Sequence, residues 1–395
     1  MSKLKDTYLE TLSKNEETAY QLNHYLADHP EISGQEYNSV KKITEILRDK
    51  GIEVEDKIAG IDTSFKAHIT KSTSENPKFG ILMEYDALPG IGHACGHSAS
   101  GSLSLLAALT LWEMKEDFEA TVDLIGTPNE EARGDKIPMA QEGVFDAYDF
   151  VMMIHMNSNE TNPSVHFLAL SEMKVNFKGA PAHAAAAPWE GKNALNAAML
   201  TCNAIDMMRQ QLKPDTRVSY IITKGGEASN VIPGEAEMII NMRNSDKFDL
   251  ERTLDKVMNC IKGASIATET DYTTVKTGED FDNMNINQTD TKAIESIMDS
   301  IGLPYTEEEQ GQAAGSSDIG NVSYICPAFH PMMAISDHYF PLHTKEVADI
   351  MKSDSINEVI SQGARVIGLF ILKAIENPEL LKGIKQEFKK SSEGR

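Results

Sequence analysis

The chain opens on two stretches in which apolar residues recur every three or four positions with charges between them, residues 3–28 and 36–50. That spacing predicts two amphipathic helices. The turn His29-Pro30-Glu31-Ile32-Ser33-Gly34 separates them, and Gly51 stands where the second helix needs a C-terminal cap. Apolar runs at 63–69, 78–84, 121–126 and 149–155 read as strands. Residues 98–116 are small and apolar on every side, the mark of a buried helix. Helix and strand alternating in this way predict an α/β sandwich around a mostly parallel or mixed sheet.

The rhythm changes at residue 173. A strand at 173–177 is followed by a helix at 191–211, strands at 217–222 and 236–242, a helix at 248–264 and a strand at 271–276. This β-α-β-β-α-β order is that of a ferredoxin-like domain. The α/β pattern resumes near Thr289, so the second rhythm reads as an insertion. The expected division is a catalytic α/β domain in two parts, 1–172 and 286–395, interrupted by the 173–285 insert.

Composition narrows the function classes. Lys and Arg number 37 against 60 Asp and Glu, a formal charge of −23. Nucleic acid is held by clustered basic residues, so this balance argues against it and against an anionic membrane surface. Four cysteines lie far apart without a CxxC pair, which predicts no disulfide framework, and Cys202, Cys260 and Cys326 read as buried small residues. The N-terminal residues form no apolar signal core, and the longest apolar stretches fall short of the roughly 18–20 residues that span a bilayer. A cytoplasmic protein is expected.

GxGxxG, Walker A and HExxH sequences are absent. Gly96-His97-Ser98-Ala99-Ser100 approaches a nucleophile elbow but ends in Ser rather than Gly. The segment 84–97 is the richest in chemistry, with His93, Cys95, His97 and Asp86 between an apolar strand and a buried helix. Cys95 and His97 at i, i+2 suit a zinc-like ion. The same pair also reads as a small buried hydrophobe beside a histidine satisfied by backbone. Glu130 and Glu131 follow the 121–126 strand, where open α/β sheets keep their ligands. As neighbours they are expected to point apart and do separate jobs, one on a metal and one on a proton. His155 ends an apolar strand, and His343 lies far along the chain.

These pieces, taken in order, resemble the zinc-dependent aminoacylase and carboxypeptidase family, metallopeptidase family twenty. They are similar to its amidohydrolase branch of p-aminobenzoyl-glutamate hydrolase, indole-acetyl-amino-acid hydrolase and acylase-like β-alanyl dipeptidase. His29-Pro30-Glu31 with Glu36 resembles its HPE…E motif, 85–89 its DALP motif and 93–97 its HACGH motif. Residues 126–131, Ala182-His183-Ala184 with 188–194, 225–233 with Met242-Arg243, 315–323 and His343-Thr344 complete the resemblance over nearly the whole chain.

The resemblance implies a lid and dimerisation domain in the insert, and two divalent metal ions per subunit. Zinc is the first choice, with Mn2+, Co2+ or Ni2+ as alternatives. Implied metal ligands are Cys95, His97, Glu131, His155 and His343, with Asp86 orienting a ligand from behind. Glu130 is implied as the base that activates a metal-bound water, and His183 as a catalytic histidine reaching a partner subunit. Asn230 and Arg243 are implied to hold the substrate's carboxylate. The implied reaction is hydrolysis of an amide or peptide bond in a small N-acyl amino acid or dipeptide, by at least a homodimer, with a tetramer as alternative. Two other readings stand beside it: a cysteine hydrolase with Cys95 as nucleophile, and a non-catalytic, peptide-binding member of the family.

Two positions depart from the family pattern. Ser98 stands where much of the branch has Asp, and points towards the dipeptidase sub-branch; Arg133 stands where glycines are expected, and is assigned to solvent. The residual acidity favours a dipeptide with a cationic side chain.

Overall fold

The structure is a computed structural model that describes residues 3–307 and 315–393. Two compact units emerge: one holds His166–Asn283 with residues 315–317, and the other holds the described residues before and after them.

The larger unit begins with helices α1 (Lys3–Asp28) and α2 (Tyr37–Asp49). Strands β1 (Glu53–Asp56), β2 (Phe65–Thr70) and β3 (Lys78–Met83) lead to helix α3 (His97–Glu113). Then follow β4 (Thr121–Gly126), α4 (Lys136–Gln141), β5 (Phe150–Met152) and β6 (His155–Asn157). The smaller unit supplies β7 (Ala169–Lys178), α5 (Ala194–Met208), β8 (Arg217–Lys224), β9 (Glu235–Asn244), α6 (Lys247–Thr268) and β10 (Asp271–Lys276). The larger unit then resumes with α7 (Gln288–Ile301), α8 (Ile319–Val322), β11 (Ala328–Phe329), β12 (Met332–Ala334), α9 (Lys345–Met351), α10 (Asn357–Glu376) and α11 (Pro378–Glu393).

The main sheet runs β1-β2-β4-β3-β5-β11 and is mixed: β4, β3, β5 and β11 pair in parallel, and β1 and β2 add antiparallel strands at one edge. Helix α3 is buried along almost its whole length, as its all-round apolar sequence requires, and α1 and α10 pack against it. Tyr8 on α1 donates its hydroxyl to the Ala364 carbonyl at 2.7 Å, and its ring lies over Gly368. A Cβ at 368 would collide with that ring. Gly368→Ala is therefore expected to cost about 1–3 kcal/mol of stability, the usual range for overpacking, read as a lowered Tm. An unchanged Tm would contradict this packing.

The smaller unit is one antiparallel sheet in the order β10-β7-β9-β8. Alternating burial along β7 and β9 puts Val175, Phe177, Met238 and Ile240 on the face that joins the core, with Ala197, Ile205, Val257 and Ile261 of α5 and α6 in the same cluster. The ferredoxin-like order is as the sequence spacing predicts, with shifted boundaries: β7 begins at Ala169, not 173, α6 continues to Thr268, and α5 is shorter than the expected 191–211.

Three expectations need correction. The 149–155 run is not one strand. The chain breaks at Met153-Ile154, so β5 pairs with β11 in the main sheet while β6 pairs with β12 in a separate two-stranded sheet. Cys202 and Cys260, read as buried small residues, are only half-buried at the margin of the smaller unit's core. Glu130 and Glu131 do not diverge, as their site geometry makes plain.

Candidate active site

Strand β3 ends at Met83, and the extended chain beyond it sends Glu84 and Asp86 to the same side, two residues apart. Both side chains are buried and grip one imidazole. Asp86 Oδ1 lies 2.8 Å from His97 Nδ1, and Glu84 Oε2 lies 3.3 Å from His97 Nε2. The Asp86 contact puts the His97 proton on Nδ1 and leaves the Nε2 lone pair for a cation. Asp86 Oδ2 also accepts from the Ser33 hydroxyl at 2.8 Å and from the Glu131 backbone N–H at 3.0 Å. Burial works against its charge, but the His97 ring and these donors hold the Asp86 carboxyl well below the usual range. Burial likewise opposes charge on His97, and the Asp86 and Glu84 carboxylates overcome it and raise that pKa.

Gly96 has φ +91 and separates Cys95 from His97. A Cβ there would lie 2.6 Å from the Met156 side chain, so only glycine suits both the dihedral and the space. Cys95 Sγ then sits 3.4 Å from His155 Nε2 and 3.3 Å from His343 Nε2. His155 donates Nδ1–H to the Met156 carbonyl at 2.7 Å, so its Nε2 too presents a lone pair. His343 has φ +63, a rare conformation for a residue with a Cβ, and its backbone N–H donates to the Ala94 carbonyl at 2.9 Å. Its Nε2 is 3.3 Å from Glu131 Oε1.

The loop after β4 is tied down by a buried acid from the first motif. Glu36 Oε1 accepts from the backbone N–H of Gly34 at 2.7 Å and of Asn129 at 2.9 Å, and Oε2 accepts from Thr63 at 3.0 Å. Burial pushes the Glu36 carboxyl up to about 7. Asn129 has φ +60, and the turn it makes brings the Glu130 and Glu131 carboxylates together against His97.

Ligand atoms therefore gather in overlapping groups, each within 4.8 Å: Cys95, His97 and His155; Cys95, Glu131 and His343; His97, Glu130 and Glu131. One sulfur is common to the first two. This mix of thiol, imidazole and carboxylate suits zinc-like ions. Among the described residues, buried His97 Nε2 and Glu131 Oε1 make no well-directed hydrogen bond, only 3.3 Å contacts with Glu84 Oε2 and His343 Nε2, which suits atoms able to hold a cation. The residues fit a dinuclear centre.

Two other chemistries fit worse. A nucleophilic cysteine needs a depressed pKa; burial and the Glu131 and Glu130 carboxylates push the Cys95 thiol well up. Ser98 is fully buried near the start of α3, and its Oγ has no partner among the described residues, so no base activates it.

The structure brings together Asp86, Cys95, His97, Glu130, Glu131, His155 and His343 in the larger unit. His183, Asn230 and Arg243 belong to the other unit. There His183 Nδ1 accepts from the backbone N–H groups of Ala185 and Ala186 at 3.2 Å, and Asn230 is exposed. Among the described residues, half-buried Arg243 makes hydrogen bonds only at 3.4 Å, with Asn241 and Ser316. Arg133 is exposed.

Four residues beside this cluster are not among the site residues that the sequence singles out. The buried His330 ring stacks on His155 with centroids 5.6 Å apart. Glu84, Lys136 and Asp318 form a buried ion cluster next to Glu130. Glu84 carried a legible signal, two residues from Asp86 on one strand face; Lys136 carried none.

The sequence profile of the peptidase dimerisation domain family matches residues 169–269. The Xaa-Arg dipeptidase of Mus musculus is 33% identical over 340 residues, covering 84% of this chain and 78% of its own. The chain belongs to the M20 peptidase family. It is thereby an enzyme of the metallo-amidohydrolase and dipeptidase type. Other M20 relatives agree: one of the chains of the p-aminobenzoyl-glutamate hydrolase of Escherichia coli is 30% identical, over 62% of this chain and 54% of its own. In fold, a dinuclear metal-binding M20 peptidase of Bacillus subtilis superposes with a TM-score of 0.71, covering 92% of this chain and all of that one at 19% identity. Among the described residues no helix is long and apolar enough to cross a membrane.

Proposed function

We propose that this M20 enzyme hydrolyses the amide or peptide bond of a small dipeptide or N-acyl amino acid. The observation that carries the reading is the pair of ligand groups sharing the Cys95 sulfur, with Glu130 alongside. Two divalent cations would be held by Cys95, His97, Glu131, His155 and His343; zinc suits the donor set, and manganese, cobalt or nickel are alternatives. Bound there, such cations lower the pKa of a water towards 7 and polarise the scissile carbonyl.

The remaining work falls to the protein's own groups. Glu130 takes the proton at its carboxylate as water attacks the carbonyl carbon, then gives it to the departing amine nitrogen. Asp86 holds the His97 tautomer. His183 stabilises the oxyanion, and Asn230 and Arg243 receive the substrate's carboxylate; the loosely engaged guanidinium of Arg243 retains donors for a bidentate grip. The dimerisation-domain match supports a homodimer at least, with a tetramer as alternative.

Within this class we favour a dipeptide with a cationic side chain. The net charge of −23 and the 33% identity to an Xaa-Arg dipeptidase both support that choice. The test is a panel of Xaa-Arg, Xaa-Lys and Xaa-Glu dipeptides and N-acyl amino acids on zinc- or manganese-loaded protein. At least about tenfold higher kcat/KM for the cationic dipeptides is expected, a difference of about 1.4 kcal/mol. Equal or reversed rates would refute the preference, and no hydrolysis across the panel would refute the activity.

A further inference from the structure

The buried ion cluster beside the ligand groups has no part in the chemistry above. Lys136, the first residue of α4, is completely buried. Its ammonium lies 2.5 Å from Glu84 Oε1 and 2.6 Å from Asp318 Oδ1, and its backbone N–H donates to Asp318 Oδ2 at 3.0 Å. Glu84 and Asp318 are themselves buried. Carboxylate oxygens of Glu84, Asp318 and Glu130 all lie within 4.8 Å of one another. Buried Glu84 Oε2 has no hydrogen-bond partner among the described residues and faces His97 Nε2.

Three acids so placed would make an oxygen-lined site for a hard divalent cation, the kind that takes several carboxylate ligands. That site would share Glu130 with the group formed by His97, Glu130 and Glu131. A cation drawn into it would turn Glu130 from a proton carrier into a ligand. The ammonium already supplies positive charge to two of the three acids, and three carboxylates without it would be costly to bury.

We propose that Lys136 is a built-in cation: its ammonium fills a third cation site of Glu84, Asp318 and Glu130, keeps divalent metal out of it, and so reserves Glu130 for proton transfer. Lys136 is in this sense a positioning residue. It never needs to touch substrate, and it acts through the two carboxylates it binds. The effect on Glu130 rests on the base assignment above; the occupancy of the third site does not.

The test is therefore metal stoichiometry, read separately from turnover. Wild type, Lys136→Met and the double variant Lys136→Met/Asp318→Asn are equilibrated with Mn2+ by dialysis and counted by atomic emission. Lys136→Met is expected to hold one more Mn2+ per subunit than wild type. The double variant, with one carboxylate of the site neutralised, is expected to return to the wild-type count. Near-UV circular dichroism checks folding; if Lys136→Met does not fold, Lys136→Gln, which keeps a donor without the charge, takes its place with the same expected gain. An unchanged count in the folded variant would overturn the proposal. On a hydrolysed substrate, the variant holding the extra ion should lose at least about a hundredfold in kcat, the lower range of a proton-transfer role, with KM changed less than about threefold. Retained kcat alongside the extra ion would refute the reservation of Glu130. Should wild type hydrolyse nothing, the proposed activity falls while the stoichiometry still decides the third site.

Discussion

Glu130→Gln is expected to lower kcat by about 10²–10⁴-fold while metal content stays at the wild-type level. That loss corresponds to about 3–5 kcal/mol of barrier. The amide matches the carboxylate in shape but neither accepts a proton from water nor returns one to an amine. The structure also predicts that the variant stays folded. Burial and the neighbouring Glu84, Glu131 and Asp318 carboxylates push the Glu130 carboxyl well above its usual range in the metal-free protein. A folded-state pKa raised above the unfolded one means that ionised Glu130 weighs against folding, increasingly so as pH rises above the unfolded value. Replacing it with a neutral amide removes that repulsion, so the metal-free variant should melt no lower than wild type at neutral pH. Near-normal turnover in metal-loaded Glu130→Gln would refute the base assignment. A lowered Tm would refute the electrostatic account.

Removal of bound cations is expected to abolish turnover, with a loss of about a thousandfold or more, because polarising the carbonyl and acidifying water are each worth several kcal/mol. Dialysis against a strong chelator, followed by zinc or manganese back-titration, measures it; restored activity should track the ions bound per subunit. Stability should follow as well. A cation that binds only the folded chain stabilises it by mass action, about 2.7 kcal/mol at a hundred times its Kd. Thiol alkylation separates the competing chemistry. Cys95 is buried and its thiol is held up by burial and two carboxylates, so the loaded enzyme should resist iodoacetamide and keep its activity. Activity that survived cation removal and vanished on alkylation would instead make Cys95 the nucleophile.

Much of the fold was legible because its elements announce themselves locally. Helix α3 is apolar on every side and is buried on every side. The strands and helices of the smaller unit appear in the order that their periodicities give. Boundaries were less legible. The apolar run through residue 155 reads as one strand, yet hydrophobicity carries no mark of where a chain leaves one sheet for another, and β5 and β6 belong to different sheets. The adjacent glutamates depart from strand alternation for a related reason. Alternation holds in a strand, but the left-handed Asn129 turns the chain, so that both carboxylates reach His97.

The sequence by itself determined the kinds of residue available for chemistry and their local spacing. Cys95 and His97 flank a glycine, Glu84 and Asp86 lie on one side of an extended chain, and two glutamates follow a strand. These are short-range facts, set by chain geometry over a few residues. Only the tertiary structure decided what those residues meet. His343 reaches Cys95 across 248 positions, and Asp318 reaches Lys136 across 182. No periodicity encodes such encounters, because they come from the packing of helices and sheet into one core rather than from any local preference. Lys136 is the clearest case: in sequence it is one of 37 basic residues, and only its complete burial between two carboxylates sets it apart.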